Sequence, residues 1–186
     1  MIRLAVKART GNKKSELKNI RRENGIPAVL YSPDGECKNI TISAVEYEAA
    51  TRSILQGRLA TTKFELDLGD KKIPALVKDV QYDLTNYKVI HIDFMQLEPK
   101  RPVKLKVPID CLGVAESAGV KLGGFFNQVL RFVTARCLPG EIPACLEIDV
   151  RNMGIGQSKR LAEIELPKGL KLLVKPEEVV AVIAKR

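Results

Sequence analysis

The sequence has few of the residues from which metal and redox sites are built. Its 186 residues include one histidine, four cysteines and no tryptophan. The cysteines, at positions 37, 111, 137 and 145, form no Cys-x-x-Cys pair, so a zinc ribbon or finger would lack correctly spaced ligands. We therefore expect no metal and no cofactor, and we interpret the cysteines as small buried hydrophobic residues.

Long hydrophobic segments are also missing. The longest uninterrupted apolar run, Val179 to Ala184, is far shorter than the ~20 residues that a transmembrane helix needs. The first residues carry basic side chains without the apolar core of a secretory signal. This pattern predicts a cytoplasmic protein without a membrane partner.

Recognisable catalytic motifs are lacking as well. The glycines around Gly123 and Gly124 match neither a Walker loop nor a dinucleotide-binding fingerprint. His91 and Asp93 could act as an acid/base pair in a hydrolase, but no nucleophile elbow or Cys–His arrangement accompanies them. Such a pair also suits hydrogen bonding to base edges or 2′-hydroxyls, and most often it is structural. We expect a protein that is not an enzyme and has no small-molecule substrate.

Positive charge is abundant and concentrated near the amino terminus. Lysine and arginine number 31 against 22 acidic residues, which gives a net charge of +9. Eight of the basic residues lie between Arg3 and Arg22, where Glu16 is the single acidic residue. This concentration favours an anionic partner, most commonly nucleic acid.

A polar segment with two prolines, Leu97–Pro102, predicts a domain boundary, because neither a helix nor a central strand tolerates it. We place the domains at residues 1–96 and 97–186. In the first, alternating or β-rich segments predict strands over 2–8, 27–31, 38–42, 62–68, 73–81 and 88–95. Helical periodicity and stop signals predict a helix over 14–24. A Ser43/Glu46 capping box predicts the start of a second helix, which runs to about residue 56. A loop is expected at 10–12 and a turn at 69–70.

The second domain begins with an amphipathic strand over 103–111, followed by a glycine-rich loop over 113–124. Further β segments are predicted over 129–137, 146–150, 161–166, 170–174 and 179–183. The fold class is therefore α+β and mostly β. In the first domain, a closed or nearly closed barrel would hide the edges of so many short strands.

The first helix sorts its charges by position. At 100° per residue, Lys14, Lys18 and Arg21 share a narrow sector with Arg22 beside it, while Leu17 and Ile20 form a buried stripe. Like-charge neighbours of this kind are locally unfavourable. In one interpretation, this cluster of like charges is simply a solvated basic face. In the other, it is a phosphate-contacting face that Arg3, Lys7 and Arg9 extend. Tyr31 could stack on a base or ribose, or cap the core.

The segment Arg9–Ser32, RTGNKKSELKNIRRENGIPAVLYS, resembles the N-terminal signature of the bacterial large-subunit ribosomal protein twenty-five family, which binds 5S rRNA. Lys78–Gln81 and His91–Phe94 resemble later signatures of that family. Beyond the linker, GVAE from Gly113, Cys137-Leu-Pro139 and EEVVA from Glu177 resemble its long, two-domain general stress protein (Ctc) type. The resemblance covers practically the whole chain.

This resemblance implies a six-stranded β-barrel with two short helices that docks on 5S rRNA, and a β-rich C-terminal domain that rests on the ribosome. Lys18 replaces a common arginine of the family, and Tyr82-Asp83 follow Gln81 where Arg-His is frequent. Asp83 would repel a nearby phosphate unless its carboxylate points away. The resemblance implies RNA contacts for Arg9, Lys14, Arg21, Tyr31, Gln81, His91 and Asp93.

We therefore predict a structural protein of the large ribosomal subunit that binds 5S rRNA and neighbouring ribosomal proteins. The alternative is a stress-related protein-interaction module whose basic surface binds an acidic protein. Pattern and resemblance together give these candidate RNA-binding residues: Arg3, Lys7, Arg9, Lys13, Lys14, Lys18, Arg21, Arg22, Tyr31, Gln81, His91 and Asp93.

Overall fold

The structure, a computed structural model, describes residues 1–11, 13–69, 71–167 and 169–185. Asn12 of the expected loop and Asp70 of the expected turn lie outside the described residues. Contacts between Cα atoms divide the chain into two units, Met1–Arg101 and Pro102–Arg186. The division falls inside the proline-containing segment 97–102.

The six strands of the first unit close into a barrel, as predicted. The strands are β1 (Ile2–Ala8), β2 (Gly25–Tyr31), β3 (Cys37–Ser43), β4 (Lys63–Asp67), β5 (Lys72–Tyr82) and β6 (Val89–Gln96). Their order around the barrel is β1-β3-β2-β6-β5-β4. Strand β1 is parallel to β4, and β2 is parallel to β6, while the other neighbours are antiparallel.

Alternation along these strands fills the barrel. Leu4 and Val6 of β1 are buried while Arg3 and Lys7 are exposed, as the period of two requires. Ile92 and Phe94 of β6 are fully buried, and the Phe94 ring meets that of Phe64 edge-on with centroids 6.1 Å apart. The outward residues of each strand are thus free to form a surface.

Two nine-residue helices flank the barrel, α1 (Lys14–Arg22) and α2 (Ala44–Arg52). Helix α1 ends two residues earlier than predicted, because Asn24 adopts a left-handed conformation (φ 57°) and β2 begins at Gly25. Ser43 is the N-cap of α2, but its side chain makes no capping hydrogen bond, so the predicted capping box is wrong. A 3-10 turn, Leu59–Thr61, precedes β4.

The second unit contains two sheets. Its strands are β7 (Val103–Leu112), β8 (Phe125–Gln128), β9 (Phe132–Cys137), β10 (Leu146–Asp149), β11 (Ser158–Arg160), β12 (Lys171–Leu172) and β13 (Val179–Ala184). One sheet has the order β10-β7-β9-β12 and the other β11-β13-β8. Helix α3 (Ala118–Lys121) and a 3-10 turn at Val114–Glu116 occupy the segment predicted as a loop.

One further strand prediction is wrong, and the prediction of buried cysteines holds for one of the four. The segment predicted as a strand over 161–166 forms a 3-10 turn at Leu161–Glu163, because Leu161 and Ile164 are buried with a spacing of three rather than two. Cys137 alone of the cysteines is buried, whereas Cys37 is exposed and the other two are half-buried. No helix in the described part of the chain is long and apolar enough to cross a membrane.

Candidate nucleic-acid interface

Helix α1 lies against β2 on the outside of the barrel. Leu17 and Ile20 are half-buried beneath it, and no side chain of the helix is fully buried. Residues 13–22 carry five exposed cations, which we call the helix cations: Lys13, Lys14, Lys18, Arg21 and Arg22. Among the described residues, no carboxylate lies within ion-pair distance of any of them.

The position of the helix cations is electrostatically unfavourable at one end of α1. Lys13 is the N-cap and Lys14 the first helical residue, where the partial positive charge of the helix dipole lies. Lys13 makes no side-chain capping hydrogen bond. Arg21 and Arg22 in the last turn suit the dipole, but they add to the like charge along the helix. An anion bound to this face would relieve the repulsion.

Arg21 connects α1 to strand β6. Its Nε donates a hydrogen bond to the backbone oxygen of Ile90, 3.2 Å away. The structure shows no partner for its terminal guanidinium nitrogens among the described residues. Arg21 is therefore fixed at Nε next to His91 while its outer nitrogens remain available to an acceptor.

A row of polar side chains lies on the outside of the barrel next to Arg21. His91 and Asp93 of β6 alternate with the buried Ile92 and Phe94 and so lie on the outer face. Gln81 of β5 pairs with His91 across the ladder, and Tyr31 ends β2. We call these four residues, Tyr31, Gln81, His91 and Asp93, the polar row.

Asp93 organises the polar row. Its Oδ1 lies 2.9 Å from His91 Nδ1, and its Oδ2 accepts a hydrogen bond from the Tyr31 hydroxyl at 3.5 Å. Partial burial, together with the Asp93 carboxylate, raises the pKa of Tyr31 and keeps the phenol protonated. Because Asp93 occupies the Nδ1 side of the His91 ring, Nε2 is the ring nitrogen left for a ligand. The row therefore offers both donors and acceptors to a ligand.

Arg9 is positioned differently from the helix cations. Its guanidinium donates to the backbone oxygens of Ile40 (3.2 Å) and Gly11 (2.9 Å) and to Asn39 Oδ1 (3.4 Å). Partial burial lowers the pKa of Arg9, and nearby Glu16 opposes that shift. Arg9 thus braces the segment that leads into α1. Asn39 was not recognised from the sequence; its polar side chain near the start of β3 was the available signal.

The two cations of strand β1, Arg3 and Lys7, lie in different surroundings. Lys7 lines a groove beside α1 together with Ile20 and Glu23. Arg3, by contrast, has its Nε 3.3 Å from Glu65 Oε1 on β4. Since β1 is three strands from β6 in either direction around the barrel, the structure does not bring Arg3 to the surface formed by α1 and β6. Among the described residues, Arg3 pairs with Glu65 rather than with any group on α1 or β6, and its predicted part in RNA binding stays a prediction.

Asp83, which could have repelled a phosphate, is engaged in its own turn. Its Oδ1 accepts a hydrogen bond from the backbone nitrogen of Thr85 at 2.8 Å. That bond, with further ones from Thr85 and Asn86, lowers the pKa of Asp83. In the described part of the chain, no cluster of three or more His, Cys, Asp or Glu side chains could hold a metal ion.

Comparison with known proteins finds matches over both units. The family model described as Ribosomal L25p family matches residues 4–94, and that described as Ribosomal protein TL5, C-terminal domain, matches residues 102–186. Large ribosomal subunit protein bL25 of Chlamydia caviae is 43% identical over 98% of this chain and 99% of its own length. Those of Chlamydia pneumoniae and Chlamydia trachomatis serovar L2 are 42% and 41% identical over the same shares. The chain therefore belongs to the bL25 family of large ribosomal subunit proteins, in its long form with a second domain.

Proposed function

We propose that the chain binds 5S rRNA through the helix cations and the polar row, within the large ribosomal subunit and alongside neighbouring ribosomal proteins. The observation that carries this proposal is the hydrogen bond from Arg21 Nε to Ile90 O, which holds a helix cation against the strand of the polar row. Phosphate-binding and edge-reading groups thus lie side by side on one unit.

The two groups divide the work of recognition. The helix cations neutralise phosphates and release counterions, which supplies affinity without regard to sequence. The polar row then contacts groove edges and 2′-hydroxyls, which A-form RNA presents in its wide, shallow minor groove. His91 Nε2 is suited to accept from a 2′-hydroxyl or an exocyclic amine, because Asp93 occupies the Nδ1 side. Arg9 acts through α1, whose entry it holds.

Arg21→Ala tests the proposal, with Arg52→Ala as the matched control. Both arginines lie exposed in the last turn of a nine-residue helix, but Arg52 belongs to α2. We expect Arg21→Ala to weaken binding to deproteinised 5S rRNA by about 10-fold, equivalent to ~1.4 kcal/mol, and Arg52→Ala to have little effect. Equal affinities of the two variants would reject the interface.

The alternative, a stress-related module that binds an acidic protein, finds no support in relatives that are named as large-subunit proteins. Sedimentation after a graded salt wash separates the two. A ribosomal component travels with the large subunit in the cytoplasmic fraction, whereas the alternative predicts release together with a protein. We propose no enzymatic activity: His91→Ala is expected to weaken RNA binding without any associated turnover.

A further inference from the structure

A cleft beside the interface is lined by three of the chain's four tyrosines. It lies between the region of α2 and the turn that joins β5 to β6, and its volume is about 440 Å³. Tyr47 is within it and 2% exposed, while Tyr82 and Tyr87 are largely exposed. Such a concentration is notable in a chain with 5% aromatic residues.

The hydroxyl of Tyr47 is a buried polar group for which the structure shows no hydrogen-bond partner among the described residues. Buried polar groups are nearly always paired, so this one is suited to a ligand that supplies the missing acceptor or donor. Burial, with the neighbouring phenol of Tyr82, raises the pKa of Tyr47, so its hydroxyl remains protonated. A ligand that displaces the side chains around the Tyr47 hydroxyl would therefore meet a neutral donor.

Tyr87 is displayed by a turn that its own hydrogen bonds hold in place. Asp83 N donates to Lys88 O at 2.8 Å, and Tyr87 N donates to Asp83 O at 3.0 Å. Within this turn Tyr87 has a φ of 55°, a left-handed conformation that is uncommon for a bulky residue. Its side chain is 79% exposed, so burial in this unit does not account for its placement. Such strain is often found at ligand-contacting positions.

The charge of the cleft distinguishes between possible ligands. Glu48 and Lys88 are the charged residues that line it, one of each sign. A phosphate is thus not favoured inside, whereas an uncharged planar group can stack on a phenol ring and hydrogen-bond to the interior. A nucleobase has this chemistry.

The cleft is continuous with the interface of the proposed function. Tyr82 directly follows Gln81 of the polar row and pairs with Val89 on β6. The residue after Val89 is Ile90, whose backbone oxygen accepts the hydrogen bond from Arg21. Tyr82 and Val89 of the cleft are thus chain neighbours of Gln81 and of the Arg21 acceptor, so an RNA bound at the polar row and extending past Gln81 would reach the cleft. We propose that the Tyr47–Tyr82–Tyr87 cleft receives one unpaired base of the bound rRNA, an inference that rests on the proposed RNA binding.

Tyr87→Ala in the full chain is the first test, with Leu84→Ala as its control. Leu84 belongs to the same turn and is 94% exposed, but it does not line the cleft. Loss of one stacking surface is expected to weaken binding to deproteinised 5S rRNA by about 5-fold or more, and to restore chemical reactivity to one base that wild type protects. Leu84→Ala should do neither.

Tyr47→Phe tests the interior separately. It removes only the hydroxyl, so we expect about 2- to 10-fold weaker RNA binding with an unfolding temperature equal to or above that of wild type. A benzoylphenylalanine at position 87 in reassembled large subunits should crosslink to rRNA. A crosslink to ribosomal protein alone would overturn the inference.

The outcomes separate this inference from the proposed function. If Arg21→Ala weakens binding while Tyr87→Ala behaves like Leu84→Ala, the cleft does not hold a base and the interface stands. If neither Arg21→Ala nor Tyr87→Ala changes affinity, the interface itself is rejected. Weaker binding by Tyr87→Ala with every base protection intact also contradicts base capture.

Discussion

Arg9 donates from Nε to the backbone oxygen of Ile40 on β3, 3.2 Å away, and Arg9 N donates to Asn39 O at 3.0 Å. The end of β1 is thus fastened to β3 by main chain and side chain together. The side chain that the sequence predicts as a phosphate contact is therefore engaged within the protein, and its effect on RNA binding is expected to pass through the position of α1.

This geometry predicts that Arg9→Ala lowers both stability and RNA affinity. If Arg9 were only the RNA contact that the family resemblance implies, its loss would weaken binding without a folding defect. Because the half-buried guanidinium makes three hydrogen bonds to Ile40, Gly11 and Asn39 among the described residues, we expect the free energy of unfolding to fall by about 1–2 kcal/mol. Urea denaturation measured beside Arg21→Ala checks this, since the exposed Arg21 should change affinity with little change in stability. Unaltered stability of Arg9→Ala would contradict the bracing role.

How much the sequence could predict depends on the range of the interactions involved. Strand β1 was recognisable because Leu4 and Val6 alternate with Arg3 and Lys7, a pattern contained in adjacent residues. The position of Arg3 was not, because it depends on the parallel pairing of β1 with β4, which brings Arg3 opposite Glu65. Nothing local in the sequence specifies that register.

In the polar row, too, features set by adjacent residues were predictable and those set by strand pairing were not. The alternation in β6 correctly put His91 and Asp93 on the face opposite Ile92 and Phe94. Their link to Tyr31 requires β2 and β6 to be neighbours, and the backbone acceptor at Ile90 carries no side-chain signal. The residue types were therefore predictable, but the contacts between them were not.

Gly25→Ala should weaken RNA binding by displacing α1. A Cβ at this position would lie 2.7 Å from Ile20 Cγ2, 3.1 Å from Ile20 O and 3.2 Å from Thr41 Cγ2, so Ile20 and the turn of α1 that carries it would have to shift. We expect a loss of about 1–2 kcal/mol in stability and a several-fold loss in affinity. Gly140→Ala, where a Cβ meets nothing within 4 Å, is the control in the same assays. Wild-type affinity for Gly25→Ala would show that RNA binding does not depend on the position of α1 against the barrel.

Stability should decrease at alkaline pH partly through Tyr47. Burial raises the pKa of Tyr47 above its ordinary value of 10.0, so the unfolded chain loses this proton at a lower pH than the folded one. The contribution of the Tyr47 proton to the free energy of unfolding is fully present below about pH 10. It is lost as the pH rises further, by up to about 1.4 kcal/mol per pH unit. Urea denaturation between about pH 9 and pH 11 should show a shallower decline for Tyr47→Phe than for wild type. Parallel declines would contradict the burial of an ionisable phenol.

The salt dependence of RNA binding should count the cations that reach the interface. With the five helix cations engaged and Arg3 held by Glu65, affinity should fall roughly 500-fold between about 50 and 200 mM salt. Lys14→Ala should reduce that decline by roughly 3- to 4-fold, since one fewer counterion is released. Arg3→Ala, which removes an equal charge on the far strand, should leave the slope as it is. Affinities measured across the salt series for all three proteins test this directly: a lower slope for Arg3→Ala than for Lys14→Ala would mean that RNA is bound on the β1–β4 side of the barrel instead.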